Sequence, residues 1–229
     1  MFETTEDFQC AKLWAEDFLS GKNVAKYYLS EEKFIAAYKS DEGFSFIVKG
    51  EPFYAHLYGK NAYLDPRSNS IAVDSDPNFL NERFEVRGGG FEIWELDTAS
   101  SHAPIELLND YEEINAMMQN HAPDSSVRPG DNEEIFWGGI RDAHGELIAC
   151  AVVVKWQSGF HIMASVVTRT NERGRGFGTA LSKGIASYAR ELGIPLLGLG
   201  VSRSNIPAQR VYEKAGYKRI GSFTNYSRV

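Results

Sequence analysis

The spacing of apolar and polar positions divides the chain into short helices and strands. Residues 6–19, EDFQCAKLWAEDFL, bring Phe8, Ala11, Leu13, Ala15 and Phe18 back at roughly helical intervals, which predicts a helix. SEEKFIAAY reads as a second helix with Ser30 as its N-cap. GFSFIVKG, PFYAHLYGK, NAYLD and SIAVD then read as short strands separated by Gly, Pro, Asp and Asn turn residues. In DPNFLNERFEVRGGGFEIWELD, the glycines 88–90 are either a flexible joint or a hairpin turn between RFEVR and FEIWEL. A domain boundary is placed there, giving an N-terminal α+β region over 1–90 and a second unit over 91–229.

The second unit has a clearer order. FEIWELD is strand-like, and IELLNDYEEINAMMQ predicts a helix through Leu107, Tyr111, Ile114 and Met118. After the polar loop NHAPDSSVRPGDN come EIFWGGIRD and ELIACAVVVKW, two strands joined by a tight turn, and then the strand FHIMASVVT. Three such strands in succession form an antiparallel meander. FGTALSKGIASYARELG predicts a helix with Phe177, Leu181, Ile185, Tyr188 and Leu192 on one face, ending at Gly193 before Pro195. PLLGLGVS is the continuous apolar run of a buried central strand. NIPAQRVYEKAG is a helix between an Asn205 N-cap and Gly216, and YKRIGSF closes the unit as a strand. The fold class is α/β (α+β): a mixed, mostly antiparallel central sheet flanked by helices.

At 43% hydrophobic and 24% charged residues, the composition is that of an ordinary globular chain. No apolar run approaches the roughly 20 residues of a membrane span, and the acidic start MFETTEDFQC lacks the features of a signal peptide. Cys10 and Cys150 have no CxxC or His neighbour, so no metal site is expected and both read as reduced and buried. The expected compartment is the cytoplasm.

Net charge is unevenly spread. Residues 91–165 hold 3 basic and 13 acidic side chains, whereas residues 166–229 hold 11 basic and 3 acidic ones. Either the charges cluster on solvated faces, or the last segment takes a polyanionic ligand while the acidic segment favours a cationic one. Nucleic acid is a poor match for that polyanion, because the helix and strand periods assign the aromatic residues to the core.

The loop RGRGFG, residues 173–178, separates the strand FHIMASVVT from the following helix. A Walker loop would need Lys-Ser or Lys-Thr after the glycines, and none is present. A dinucleotide fingerprint would need GxGxxG and an acid at the end of the next strand; the spacing is GxGxG, and PLLGLGVS carries no acid. What remains is a diphosphate held by successive backbone N–H groups at a helix N-terminus.

Here the sequence resembles the GNAT superfamily of N-acyltransferases. Arg173, Gly176 and Gly178 match its R/Q-x-x-G-x-G/A signature, and GLGVSRSNIPAQRVYEKAGYKRIG is similar to its downstream strand, capped helix and closing segment. The resemblance covers residues 91–229; some two-domain members carry a degenerate copy of the fold before that. It implies acetyl-CoA as acyl donor, with its pyrophosphate on the amides of Arg173, Gly174, Arg175, Gly176, Phe177, Gly178 and Thr179. It further implies that the pantetheine pairs along Val166, Val167 and Thr168, that Asn205, the N-cap of the next helix, also belongs to the cofactor-binding set, and that Val166 or Val167 N–H polarises the thioester. Arg175 either faces the adenosine phosphates or is a solvated loop residue.

The resemblance gives Tyr212 the role of general acid for the leaving thiolate, although it also lies on an apolar face with Ala208, Val211 and Ala215. The position of the glutamate base found in some members is Ile162 here. His161 alternates to the opposite face, and Glu133 and Glu134 are either water-linked bases or solvated acids. The implied activity is N-acetyl transfer to a primary amine of a small molecule or a protein. The alternative is a non-catalytic acyl-CoA sensor or partner-binding module. A homodimer is left open; no nucleic-acid or membrane partner is expected.

Overall fold

A computed structural model describes residues 1–19, 24–74, 83–100, 103–131 and 133–229. In the first part of the chain, β1 (Glu3–Thr5) leads to helix α1 (Phe8–Leu19), a 3-10 turn at Val24–Tyr27, and strands β2 (Phe34–Lys39), β3 (Gly43–Val48), β4 (Tyr54–Gly59) and β5 (Ser70–Val73). Strands β6 (Phe84–Val86), β7 (Phe91–Asp97) and β8 (Glu106–Leu108) lead to α2 (Tyr111–His121). The meander β9 (Glu134–Arg141), β10 (Leu147–Lys155) and β11 (His161–Thr168) follows, then α3 (Phe177–Glu191), β12 (Leu196–Ser202), α4 (Ile206–Ala215) and β13 (Lys218–Arg228).

One sheet runs β1-β2-β3-β4-β5-β13-β7-β12-β11-β10-β9-β8, with β6 also on β13. This order is close to a mirror image about its centre. On each side a short strand and a helix precede an antiparallel meander, and the meander ends in a parallel pair, β4 with β5 and β11 with β12. The two central strands are exchanged: β13, from the end of the chain, pairs with β5, and β7, between the halves, pairs with β12. The halves differ in the crossover of their parallel pairs. The second half places α3 there, whereas residues 60–69 link β4 to β5 without a helix.

The two faces of the sheet carry separate cores. Side chains of α1 and α2, among them Ala11, Ala15, Ile114 and Met118, pack with Val152, Val154 and Ile162 on one face. On the other, Leu181, Ile185 and Ala189 of α3 and Tyr212 and Ala215 of α4 pack with Val153, Met163 and Leu199. Alternation along β10 and β11 sends neighbouring residues to opposite cores.

Several sequence expectations change. FIAAYK is strand β2 rather than a helix, because it pairs from Phe34↔Val48 to Lys39↔Phe44 with the aromatic-rich β3. Ser30 is a turn residue whose carbonyl accepts from Lys33 and Phe34 N–H. NAYLD lies in the connection from β4 to β5 and is not a strand; its Asp65 accepts from the Arg67 amide at 2.9 Å and from the Tyr38 hydroxyl. Leu107 belongs to β8, and α2 begins only at Tyr111, where Asp110 Oδ1 accepts from Glu113 N–H at 3.0 Å.

β6 and β7 lie end to end along β13, so the triple glycine is an in-line joint and not a hairpin turn. The part of DPNFLNERFEVR before Arg83 lies outside the described residues. The last strand runs beyond YKRIGSF to Arg228, and Leu192 lies past the end of α3 and is exposed. Both cysteines are free; Cys150 is buried, but Cys10 is only half-buried.

Candidate acyl-donor site

Strands β11 and β12 are paired only at His161↔Leu197 and Ile162↔Gly198. Beyond that point β12 stays on β7 as far as Ser202↔Phe91, while β11 stays on β10 as far as Ala149↔Thr168. The facing edges of β11 and β12 therefore part over the stretch that holds Val166, Val167 and Thr168. Unpaired strand edges offer N–H and C=O groups to an extended guest.

A bulge sharpens this opening. The β10–β11 register shifts between Cys150↔Val167 and Val152↔Ala164, and Ser165 takes φ +48. The left-handed conformation of a non-glycine residue needs support. Ser165 Oγ supplies it, accepting from Val127 N–H at 3.1 Å and donating to Val127 C=O at 2.9 Å. That pair of bonds holds the loop after α2 against the bulge. Val166 and Val167 then face opposite cores, Val166 the one that includes Tyr212 and Val167 the one that includes Cys150.

β11 leads through a 3-10 turn at Thr170–Glu172 into the glycine loop. Gly174 has φ +79 and Gly176 φ +91, values that favour glycine, and a Cβ at either would meet no atom within 4 Å. The glycines are thus required by backbone conformation, and the space beside them is open. At Gly178 a Cβ would stand 3.4 Å from Val211 and 3.7 Å from Thr168 Oγ1, so the start of α3 sits between β11 and α4.

Gly176 is the N-cap of α3 and has no side chain with which to cap it. The first amides of α3, which include those of Phe177, Gly178 and Thr179, lack intrahelical partners, as in any α-helix. In α4, by contrast, Asn205 Oδ1 accepts from Ala208 N–H at 3.2 Å, so this side chain serves as a helix cap. Amides at a helix start, together with the helix dipole, attract anionic oxygen.

The arginines of the loop have other partners. Arg173 donates to His121 C=O at 2.6 Å and to Thr168 C=O at 3.2 Å, tying the end of α2 to the end of β11. Arg175 pairs with Glu172 and lies over the Phe177 ring at 5.6 Å.

Tyr212 is 8% exposed, its ring edge-on to Tyr217 at 6.0 Å. Burial pushes its phenol up to about 12, so it is protonated at neutral pH. Ile162 is buried and offers no base. His161 is half-buried and lies on the other face; burial and then the charge of Lys155 push its imidazole down. Glu133 is exposed, and Glu134 is engaged by the Trp137 indole N–H at 2.8 Å, Gly130 N–H at 3.2 Å and the Tyr111 hydroxyl.

One carboxylate escaped the sequence reading. Ile162, Gly198 and Glu95 are consecutive partners across β11, β12 and β7, so Glu95 shares a face and a row with Ile162. Glu95 accepts from the Tyr27 hydroxyl and pairs with Lys26 at 2.5 Å, which anchors the 3-10 turn on the sheet. Alternation in FEIWEL marks its face, but only the strand order reveals its neighbours.

Among the described residues, no group of three or more His, Cys, Asp or Glu side chains is placed to hold a metal ion. No described helix is long and apolar enough to cross a membrane.

The family model of the GNAT acetyltransferases matches residues 95–217, more than half of the chain. The structure is similar to a GCN5-related N-acetyltransferase from Kribbella flavida, with TM-score 0.57, 15% identity and 95% of each chain covered. It is also similar to an acetyltransferase of the GNAT family from Colwellia psychrerythraea, with TM-score 0.52, 12% identity and 100% of each chain covered. A GCN5-related N-acetyltransferase-like protein from Streptococcus suis matches at TM-score 0.51 and 10% identity, over 97% of this chain and 100% of that one. At these identities the likeness concerns the fold. No curated protein matches the sequence.

Proposed function

The chain belongs to the GNAT acetyltransferase family and is a transferase; from that premise we propose that it moves the acetyl group of acetyl-CoA directly to a primary amine. One observation carries the reading: the edge of β11 that opens beyond Ile162 leads straight to the glycine N-cap of α3. A ligand with an extended amide-bearing arm and a diphosphate head fits that combination of strand edge and helix start.

In this reading the amides from Gly174 to Thr179 take the diphosphate, and the stretch from Val166 to Thr168 pairs with the pantetheine. Val166 or Val167 N–H polarises the thioester carbonyl as negative charge develops on its oxygen. The amine nitrogen forms a bond to the carbonyl carbon and the C–S bond breaks. Tyr212 gives its proton to the departing sulfur. The ammonium proton leaves through water, since Ile162 supplies no carboxylate.

The acidic segment 91–165 supports a cationic acceptor, on a small molecule or a protein. Two free cysteines, with the Cys150 thiol pushed up to about 12 by burial, suit a reducing compartment such as the cytoplasm. The apolar Ile162 favours a second reading, a sensor that holds acyl-CoA without turnover.

Thermal unfolding with and without ligand tests the donor. Acetyl-CoA at a hundred times its dissociation constant stabilises the protein by about 2.7 kcal/mol in thermal unfolding, and adenosine diphosphate does less. Stabilisation by NAD or ATP but not by acetyl-CoA overturns the assignment.

A further inference from the structure

A second concave site, of about 410 Å³, lies between the two halves of the sheet on the face of α1 and α2. Its walls are flat rings. Tyr28 stacks on His56 with centroids 4.3 Å apart and stands 5.6 Å from Trp156. His56 is 2% exposed, and among the described residues its Nδ1 has no hydrogen-bond partner. The His56 ring lies behind Tyr28, stacked between it and Phe46 at 4.9 Å, and backs this wall of the groove.

The mouth of the groove carries an uneven charge. Lys33 and Lys49 stand one step beyond the Phe34↔Val48 pair, with Lys49 N–H donating to Lys33 C=O at 2.7 Å. Like charges side by side on a hairpin repel. Both side chains are exposed, and neither forms an ion pair among the described residues. Glu133 is the carboxylate at this mouth, and it leaves the three charges with a single positive excess.

We infer that this groove binds a planar aromatic carboxylate, its ring against Tyr28 and Trp156 and its carboxylate between Lys33 and Lys49. The single positive excess suits a monoanion and disfavours a phosphate dianion beside Glu133. The inference concerns binding alone and holds whether or not the chain transfers acyl groups.

Calorimetric titration of the full-length protein with indole-3-acetate tests it, with indole-3-acetamide as the uncharged counterpart. Indole-3-acetate binds, and affinity falls on the order of tenfold or more for the amide, as expected for a lost charge-assisted contact. The double variant Lys33→Ala/Lys49→Ala loses a similar factor for the acid and little for the amide. Both lysines are exposed, so the variant folds, which circular dichroism verifies. Absence of binding at millimolar indole-3-acetate, equal affinity for acid and amide, or undiminished affinity in the double variant overturns the assignment.

Discussion

Ile162 and Gly198 are the last partners that join β11 to β12, and the ring of Tyr27 packs over that glycine, which lies between Ile162 and Glu95. A Cβ on Gly198 would stand 2.7 Å from Tyr27 Cε1 and 2.9 Å from Ile162 Cδ1. The Tyr27 ring cannot simply swing away, because its hydroxyl is held by Glu95. Gly198→Ala therefore costs about 1–3 kcal/mol, the usual range for overpacking, and weakens acetyl-CoA binding by moving the point where the strands part. Urea unfolding and calorimetry check this; an unchanged midpoint together with unchanged affinity contradicts it.

Tyr212→Phe removes only a hydroxyl, for which the structure gives no hydrogen bond among the described residues. Thermal stability and acetyl-CoA affinity should change little. Turnover should fall by a factor on the order of 10² to 10⁴, the usual contribution of a positioned acid. The sign of the pH effect is also set. A general acid works while protonated, and Tyr212 loses its proton only as pH rises through about 12. The wild-type rate at saturating donor should thus show no descending limb from this residue between neutral and mildly alkaline pH. Normal turnover in the variant makes Tyr212 a packing residue alone.

Much of the site could be read from local pattern, because its parts are local. RGRGFG declares a loop before a helix, Asn205 and Gly216 bracket α4, and alternation separates His161 from Ile162. What could not be read depends on partners distant in sequence. FIAAYK contains two alanines and fits a helix until β3 pairs with it. Glu95 joins the row of Ile162 only because β7 lies beside β12, an adjacency between strands about a hundred residues apart. The opening at Ile162 and the Ser165 bulge leave no mark in the alternating run FHIMASVVT.

His56 links pH to stability. Burial pushes its imidazole down from 6.5 to about 3, so between those values the unfolded chain binds a proton that the folded chain refuses. The contribution of neutral His56 is intact above 6.5 and is lost as pH falls toward 3. The slope is about 1.4 kcal/mol per pH unit within that window. His161 titrates in the same sense, so the measure is the difference between wild type and His56→Phe in urea unfolding across pH. A difference that does not vary with pH contradicts the burial of an uncharged ring.

Catalytic acetyl transfer is measured by the release of free thiol. Protein, acetyl-CoA and a panel of primary amines, from polyamines and amino acids to lysine peptides, are incubated with a thiol reagent, and the product is weighed by mass spectrometry. The expected result is thiol release that requires both protein and a particular amine, with one acetyl group gained by that amine for each thiol freed. Tight binding of acetyl-CoA without thiol release for any amine in the panel would contradict it, and would make the chain a sensor built on a transferase fold.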